Sequence, residues 1–384
     1  MNRNLLLVSI SLFTWGIGEG MFIYFQPIYL QQLGASPLLI GAILGGMGIA
    51  MAVTQIPAGY LGDRFGRLPM MWFSWGLGTI SAGIMAFSTN LNGFVIGLLL
   101  YGATSFVMAP MNSYITHARG KWSIGRALTT ASAAFNLGAV IGPMIGGTLA
   151  EDMGLKMVYI IAAGILVIST VMVLFAHKQP VESHPNGSER FSLAKNTRLI
   201  SLLSILFITI LGTYLPQPLT ANFLQDVKGL DLSQIGTLGS IGSLGNAMLA
   251  IGLGTINARI GFLVGQLAVI LASILIWKGT GLPWYMLGYF FLGGYRVCKS
   301  LAMALARPLI HASQMGVAYG FLETVSSFAI IIAPPIAGFI YEYNPELVYP
   351  VSAIFIALIF LISLRFIPHV HLATEELLIT PERD

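Results

Sequence analysis

Four ionisable residues stand inside long apolar stretches: Glu19, Arg296, Lys299 and Glu323. A charge at mid-bilayer costs on the order of 2.5–3.5 kcal/mol even on insertion scales, so such residues usually face a bundle interior or a water-filled path. Glu19 shares a helical stripe with Trp15, Phe22 and Gln26. A desolvated carboxylate can take up a proton and carry it, which makes Glu19 the candidate proton-coupling residue. A neutral Glu holding a neighbouring segment in place is the alternative. Arg296 lies on a stripe with Tyr285, Tyr289, Leu292, Lys299 and Met303. Its planar, permanently charged fork suits a carboxylate or phosphate, or a pairing with Glu19 or Glu323. Lys299 matches Glu323 in depth, so these two are expected to form a buried ion pair. Trp15, Phe22, Gln26, Tyr289 and Arg296 are candidate lining for a substrate cavity. Asn112 (with Tyr101, Ser105 and Met108) and Gln217 (with Thr213 and Thr220) join them by stripe.

The elements that carry these residues follow from composition. Of 384 residues, 56% are hydrophobic and 9% charged, with a mean hydropathy of +0.81. A soluble domain carries about a quarter charged residues. The chain therefore reads as an integral membrane protein. A helix crossing the ~30 Å hydrocarbon layer needs about 20 mostly apolar residues. Stretches that meet this run near 5–30, 38–61, 69–88, 93–115, 127–149 and 158–176. A second group runs near 199–223, 235–256, 262–277, 284–306, 317–341 and 347–366. That is about twelve spans, with 262–277 the shortest. Closed barrels are excluded, because their strands would alternate in segments of about ten residues. The first stretch is too long for a leader and contains Glu19, so it reads as the first span. Cys298 is the single cysteine and carries no disulfide information.

Charge sets an expected orientation. Of nineteen Lys and Arg residues, fourteen fall on the side of the termini and alternate loops, two (Arg296 and Lys299) lie inside a span, and three (Lys156, Lys228 and Lys278) fall on the other side. The bias predicts that both termini are cytoplasmic. The net charge of +4 is thus a matter of topology rather than of nucleic-acid binding. The polar segment 177–196 reads as a cytoplasmic linker between an N-terminal six-helix bundle, 1–176, and a C-terminal one, 197–367, with a cytoplasmic tail at 368–384.

The halves repeat each other. At an offset of 191, Gly125, Pro143, Gly147 and Glu151 meet Gly316, Pro334, Gly338 and Glu342. At an offset of 195, Gly59, Leu61, Arg64 and Gly66 meet Gly254, Ile256, Arg259 and Gly261, while Asp63 meets Ala258. Related half-bundles are the architecture of secondary transporters, with the site near the midplane. The charged turn from Gly59 to Arg67, reading GYLGDRFGR, resembles the signature loop of the major facilitator superfamily at Gly59, Leu61, Asp63, Arg64, Gly66 and Arg67. The run Gly138-x-x-x-Gly142-Pro143-x-x-Gly146-Gly147 resembles the antiporter motif of that superfamily's drug:proton exchangers.

The resemblance implies an all-α fold of two pseudo-symmetric six-helix bundles, in which spans one, four, seven and ten line the cavity. It implies that Asp63 reaches the start of span eleven or the loop before it and latches the outward-facing state, its charge favoured by the helix dipole. The other reading makes Arg64 and Arg67 simple topology determinants. Small residues at Gly138, Gly142, Gly146 and Gly147, with Pro143 beside them, either seal an interface against leak or simply pack helices closely. No His, Cys or Gly-rich pattern marks a metal, a cofactor or a nucleotide, and no nucleophile–base set marks an enzyme. The expected function is proton-coupled export of a small amphipathic compound across the cell membrane, by a monomer. Its expected partners are substrate, protons and lipid. Uptake or facilitated transport of an anionic or sugar-like metabolite is the alternative, and a receptor or enzyme without flux a remote one.

Overall fold

The computed structural model describes residues 2–179, 197–310 and 315–367, with the side chains of 56–64, 198 and 315–319 outside that description. Sixteen α-helices are defined among the described residues: α1 (Arg3–Ile23), α2 (Gln26–Gln32), α3 (Pro37–Phe65), α4 (Arg67–Phe87), α5 (Leu91–Ala103), α6 (Met108–His117), α7 (Ile124–Met153) and α8 (Leu155–Leu174), then α9 (Thr197–Tyr214), α10 (Thr220–Asp226), α11 (Leu232–Gly254), α12 (Ala258–Lys278), α13 (Leu282–Leu292), α14 (Gly294–Ala306), α15 (Met315–Tyr343) and α16 (Val348–Phe366). Ten segments within them are long and apolar enough to cross a membrane, and Leu199–Tyr214 is a shorter apolar helix. The expected short span at 262–277 is a full 21-residue helix, α12, because Asn257 caps Arg259 N and the helix begins earlier. Large apolar side chains such as Phe73, Ile80, Ile354 and Leu361 are exposed on outer faces, where lipid replaces water as the neighbour.

Spans one, four, seven and ten are not continuous, which apolar length alone did not reveal. The first breaks at Tyr24–Phe25, just ahead of Pro27. The fourth passes through a 3₁₀ turn at Thr104–Val107. The seventh stops before Pro216 and Pro218, and the tenth pauses at Gly293. Proline lacks the N–H that continues a helix, and paired glycines such as Gly293–Gly294 favour a kink. Backbone interruptions at this depth are tolerated where protein surrounds them or a cavity borders them.

Helices pack chiefly within two sets, α1–α8 and α9–α16. Small polar groups join helices inside each set. Trp75 Nε1 donates to Ser11 Oγ at 2.8 Å, and the Ser11 and Ser169 hydroxyls lie 2.9 Å apart. In the second set Gln266 Nε2 reaches Thr209 and Ser363 at 3.2 and 3.0 Å. The apolar core has a telling division. Near the end that carries the chain termini, each set has its own cluster, one around Met71, Tyr114 and Val173, the other around Phe262, Cys298 and Leu322. At the opposite, distal end one cluster spans both sets, from Phe22, Phe94 and Tyr159 to Phe223, Tyr289 and Tyr349. Among the described residues the sets are joined distally and separately cored at the terminal end.

The charged segment from Gly59 to Arg67 is not the turn that its composition indicated. Helix α3 continues to Phe65 and α4 begins at Arg67, so Gly66 alone breaks the helix. Its φ of +87° is a conformation that favours glycine over any side chain.

Candidate functional site

The four interruptions bring a ring of aromatic and polar side chains to the middle of the bundle. On α1, half-buried Glu19 accepts a hydrogen bond from Trp15 Nε1 at 3.2 Å. The Tyr101 hydroxyl, buried and without a hydrogen-bond partner of ordinary geometry, stands beside the same carboxyl. Trp15 stacks on Tyr101 with 6.1 Å between ring centroids and tilts against Trp75 at 5.4 Å, which fixes the Glu19 side of the site.

The opposite wall comes from the second set. Arg296, on the first turn of α14, is exposed to the cleft yet enclosed by protein. Its guanidinium carbon lies 5.7 Å from the Tyr295 ring centroid, with Tyr24 and Tyr214 near it. Tyr214 and Tyr295 rings are 5.4 Å apart. Among the described residues no carboxylate is within salt-bridge distance of Arg296, although Glu19 is close enough to feel its charge. The Tyr24 hydroxyl crosses to Ser243 Oγ at 3.0 Å and its ring faces Tyr289 at 6.4 Å, so the distal roof of the site joins both sets.

The remaining candidates fall in several places. Lys299 Nζ lies 2.8 Å from Glu323 Oε2, so the expected pair forms within the second set, but with side chains 30% and 44% exposed it is not the buried pair that depth alone suggested. Phe22 does not line the cleft: it is fully buried against Tyr101 and Tyr159, each 5.4 Å away by ring centroid. Three residues on from Glu19, it has rotated towards α5 and α8. Gln26 lies beyond the break, buried, with Nε2 unpartnered. Tyr289 is 3% exposed and forms part of the roof rather than an open wall. Asn112 is exposed on α6, and Gln217 sits in the α9–α10 interruption with Nε2 donating to Thr213 O at 3.2 Å. Tyr24, Tyr214 and Tyr295 escaped the sequence reading. A tyrosine three residues before Pro27, and another two before Pro216, is the signal that marks such helix ends.

In the glycine run the stripe divides between two neighbours. Gly138, Gly142 and Gly146 lie against α1, where a methyl group at Gly146 would come within 2.7 Å of Met21 Cα. Gly147 faces α11 of the other set, where a methyl group would come within 2.7 Å of Leu232 O, and Pro143 lies between, against Gly20 of α1 and Gly239 of α11. At the signature segment, Arg67 is half-buried with Nη1 lacking a partner among the described residues, and Gly66 is buried. The side chains of Gly59, Asp63 and Arg64 lie outside the described residues, as do most of the expected linker and the whole of the expected tail. No group of three or more His, Cys, Asp or Glu that could hold a metal occurs among the described residues.

Comparison with known proteins places this architecture. An Uncharacterized MFS-type transporter MJ1560 of Methanocaldococcus jannaschii is 31% identical over 205 residues, a match spanning 52% of each chain, about half the relative's length. The Multidrug resistance protein MdtG of Yersinia enterocolitica is 28% identical over 290 residues, covering 71% of this chain and 70% of that one. The crystal structure of nucleoside transporter NupG superposes with a TM-score of 0.78 at 15% identity, covering 96% of this chain and 100% of NupG, a likeness of fold alone. A family model of the Major Facilitator Superfamily matches residues 8–296 and 202–378. With spans, packing and matches in agreement, the chain is a multi-pass membrane transporter, not an enzyme, and belongs to the Major Facilitator Superfamily.

Proposed function

We propose that the protein moves a small amphipathic molecule out of the cell by alternating access, driven by protons taken up at Glu19. The observation that carries this reading is the placement of a half-buried carboxyl beside the Tyr101 hydroxyl, across from an arginine that has no carboxylate partner among the described residues. Glu19 on the first set and Arg296 on the second attract each other without touching. Protonating Glu19 removes that attraction, so proton binding changes the energy of bringing the two sets together. Aromatic walls from Trp15, Tyr24, Tyr214 and Tyr295 offer apolar area with few fixed polar contacts, as adaptable sites do. Export is supported by a relative named for multidrug resistance. The loop assignment read from the sequence puts fourteen Lys and Arg on the side of the termini against three on the other, which supports cytoplasmic termini. On that orientation the separately cored end faces the cytoplasm, where an exported compound would enter.

One observation favours a second reading. Arg296 lacks a carboxylate partner among the described residues, whereas Lys299 has one. A guanidinium fork without a carboxylate partner suits a carboxylate or phosphate ligand, which supports an anionic substrate. Purified protein in liposomes containing a pH dye, challenged with cationic, neutral and anionic amphipathic compounds, separates the readings. Proton movement evoked by cationic or neutral compounds and lost in Glu19→Gln supports coupled export. Movement evoked only by anions and lost in Arg296→Ala moves the assignment to the second reading. Substrate flux with no proton movement would remove Glu19 from the coupling role.

A further inference from the structure

The distal closure is built twice, once on each side of the molecule's internal repeat. Helix α7 of the first set packs on α11 of the second, and α15 of the second packs on α3 of the first. The contacts correspond position by position. Pro143 O sits against Gly236, and Pro334 O sits against Gly41. Gly147 faces the carbonyl of Leu232, and Gly338 faces the carbonyl of Pro37. The offsets are those of the sequence repeat, 191 between α7 and α15 and 195 between α3 and α11.

A carboxylate completes each pair. Glu151, at the end of α7, accepts from Leu232 N at 2.9 Å, the first N–H of α11. Its repeat partner Glu342, at the end of α15, accepts from Leu38 N at 3.0 Å, the second residue of α3. The one-residue shift has a physical cause: Pro37 occupies the position equivalent to Leu232 and has no N–H to donate. The first N–H groups of a helix have no partner inside it and carry a partial positive charge, so a carboxylate is favoured there. Asp231 already caps Gln234 N within α11, so Glu151 is a second carboxylate at that end, supplied by the other set.

We infer that Glu151 and Glu342 are a duplicated clasp that holds the distal end shut, and that both must let go for that end to open. The inference rests on alternating access as the mode of transport but on neither the substrate nor the coupling ion. Both carboxylates are exposed at helix ends, so neither is buried in a core whose folding needs it. The α7–α11 and α3–α15 seams tie the sets together at the distal end, and rocking one set against the other must part them.

The test measures distal opening directly. Spin labels at Thr89→Cys and Thr280→Cys, on exposed distal turns of the two sets, report the separation by pulsed electron–electron resonance in nanodiscs, in a Cys298→Ser background. The closed arrangement is expected to dominate the starting protein. Glu151→Ala or Glu342→Ala each raises the ratio of open to closed by about fivefold, the order expected for a carboxylate at a helix N-terminus, and the double variant raises it by roughly the product. Glu→Gln keeps an accepting oxygen without the charge, so the shift is smaller in the same direction. A double-alanine distribution identical to the starting protein overturns the clasp. A full shift from one single variant with none from the other overturns its duplication. If the double variant does not fold, the paired Gln variants decide, and an unchanged distribution there counts against the clasp. Because no substrate is added, a failed transport assay would leave the result standing.

Discussion

In the proposed mechanism Glu19 and Arg296 divide the chemistry of the site between the two sets of helices. Glu19→Gln should leave folding and membrane insertion intact and reduce substrate-evoked proton flux at least tenfold, read with the internal pH dye; unchanged flux would show that another group carries the proton. For Arg296 the informative comparison is between Ala and Lys. If the fork grips an anion, Arg296→Ala weakens anionic ligands by about ten- to a hundredfold, and Arg296→Lys restores only part, because lysine keeps the charge but loses the bidentate geometry. Equal affinity in all three, measured by ligand-quenched tryptophan fluorescence, would rule out direct contact. The positions of Glu19 and Arg296 stand out in the sequence because charge inside an apolar span is conspicuous, and their roles rest on the variants above. Phe22 was misplaced because a stripe names a face without saying which neighbour the face meets. Tyr101 and Tyr24 owe their roles to contacts across 82 and 219 positions (101 − 19 and 243 − 24), which no local pattern encodes.

At the scale of elements, neighbouring glycines do different work. Gly146 lies against α1 within its own set, and Gly147 lies against α11 of the other set. Gly146→Ala forces its methyl group against Met21 backbone and should cost on the order of 1–3 kcal/mol of stability, seen as a lower unfolding temperature in detergent. Gly147→Ala should leave that temperature within a degree or two and instead loosen the distal closure, seen with the same pair of spin labels. If both variants behave alike, the division of the stripe is wrong. The sequence displayed the Gly–Pro run plainly but not its two partners, since spacing of four fixes a stripe and adjacent positions point about 100° apart. The apolar runs themselves were legible, although among the described residues ten segments meet the length and hydropathy of a span and Leu199–Tyr214 falls short because its helix stops ahead of Pro216. The interruptions in spans one, four, seven and ten are not legible that way, since Pro27, Pro216 and Gly293 lie inside continuous apolar length.

At the scale of the whole molecule, the internal repeat is the feature that sequence and structure share most fully. It supplied Glu151 and Glu342 as a pair before either had a partner, and the structure gives both the same kind of partner. The signature segment at the terminal end has the complementary expected role. Asp63→Asn should insert normally and slow turnover several-fold by weakening the state in which the terminal end is closed; wild-type rates would remove that latch. The central claim remains proton-driven movement by alternating access. Its most direct measurement is concentrative transport in liposomes with an imposed pH gradient, following labelled substrate and internal pH together. The account predicts accumulation against the substrate gradient, collapse on adding a protonophore, and no accumulation in Glu19→Gln. Accumulation that survives both the protonophore and the substitution would contradict it.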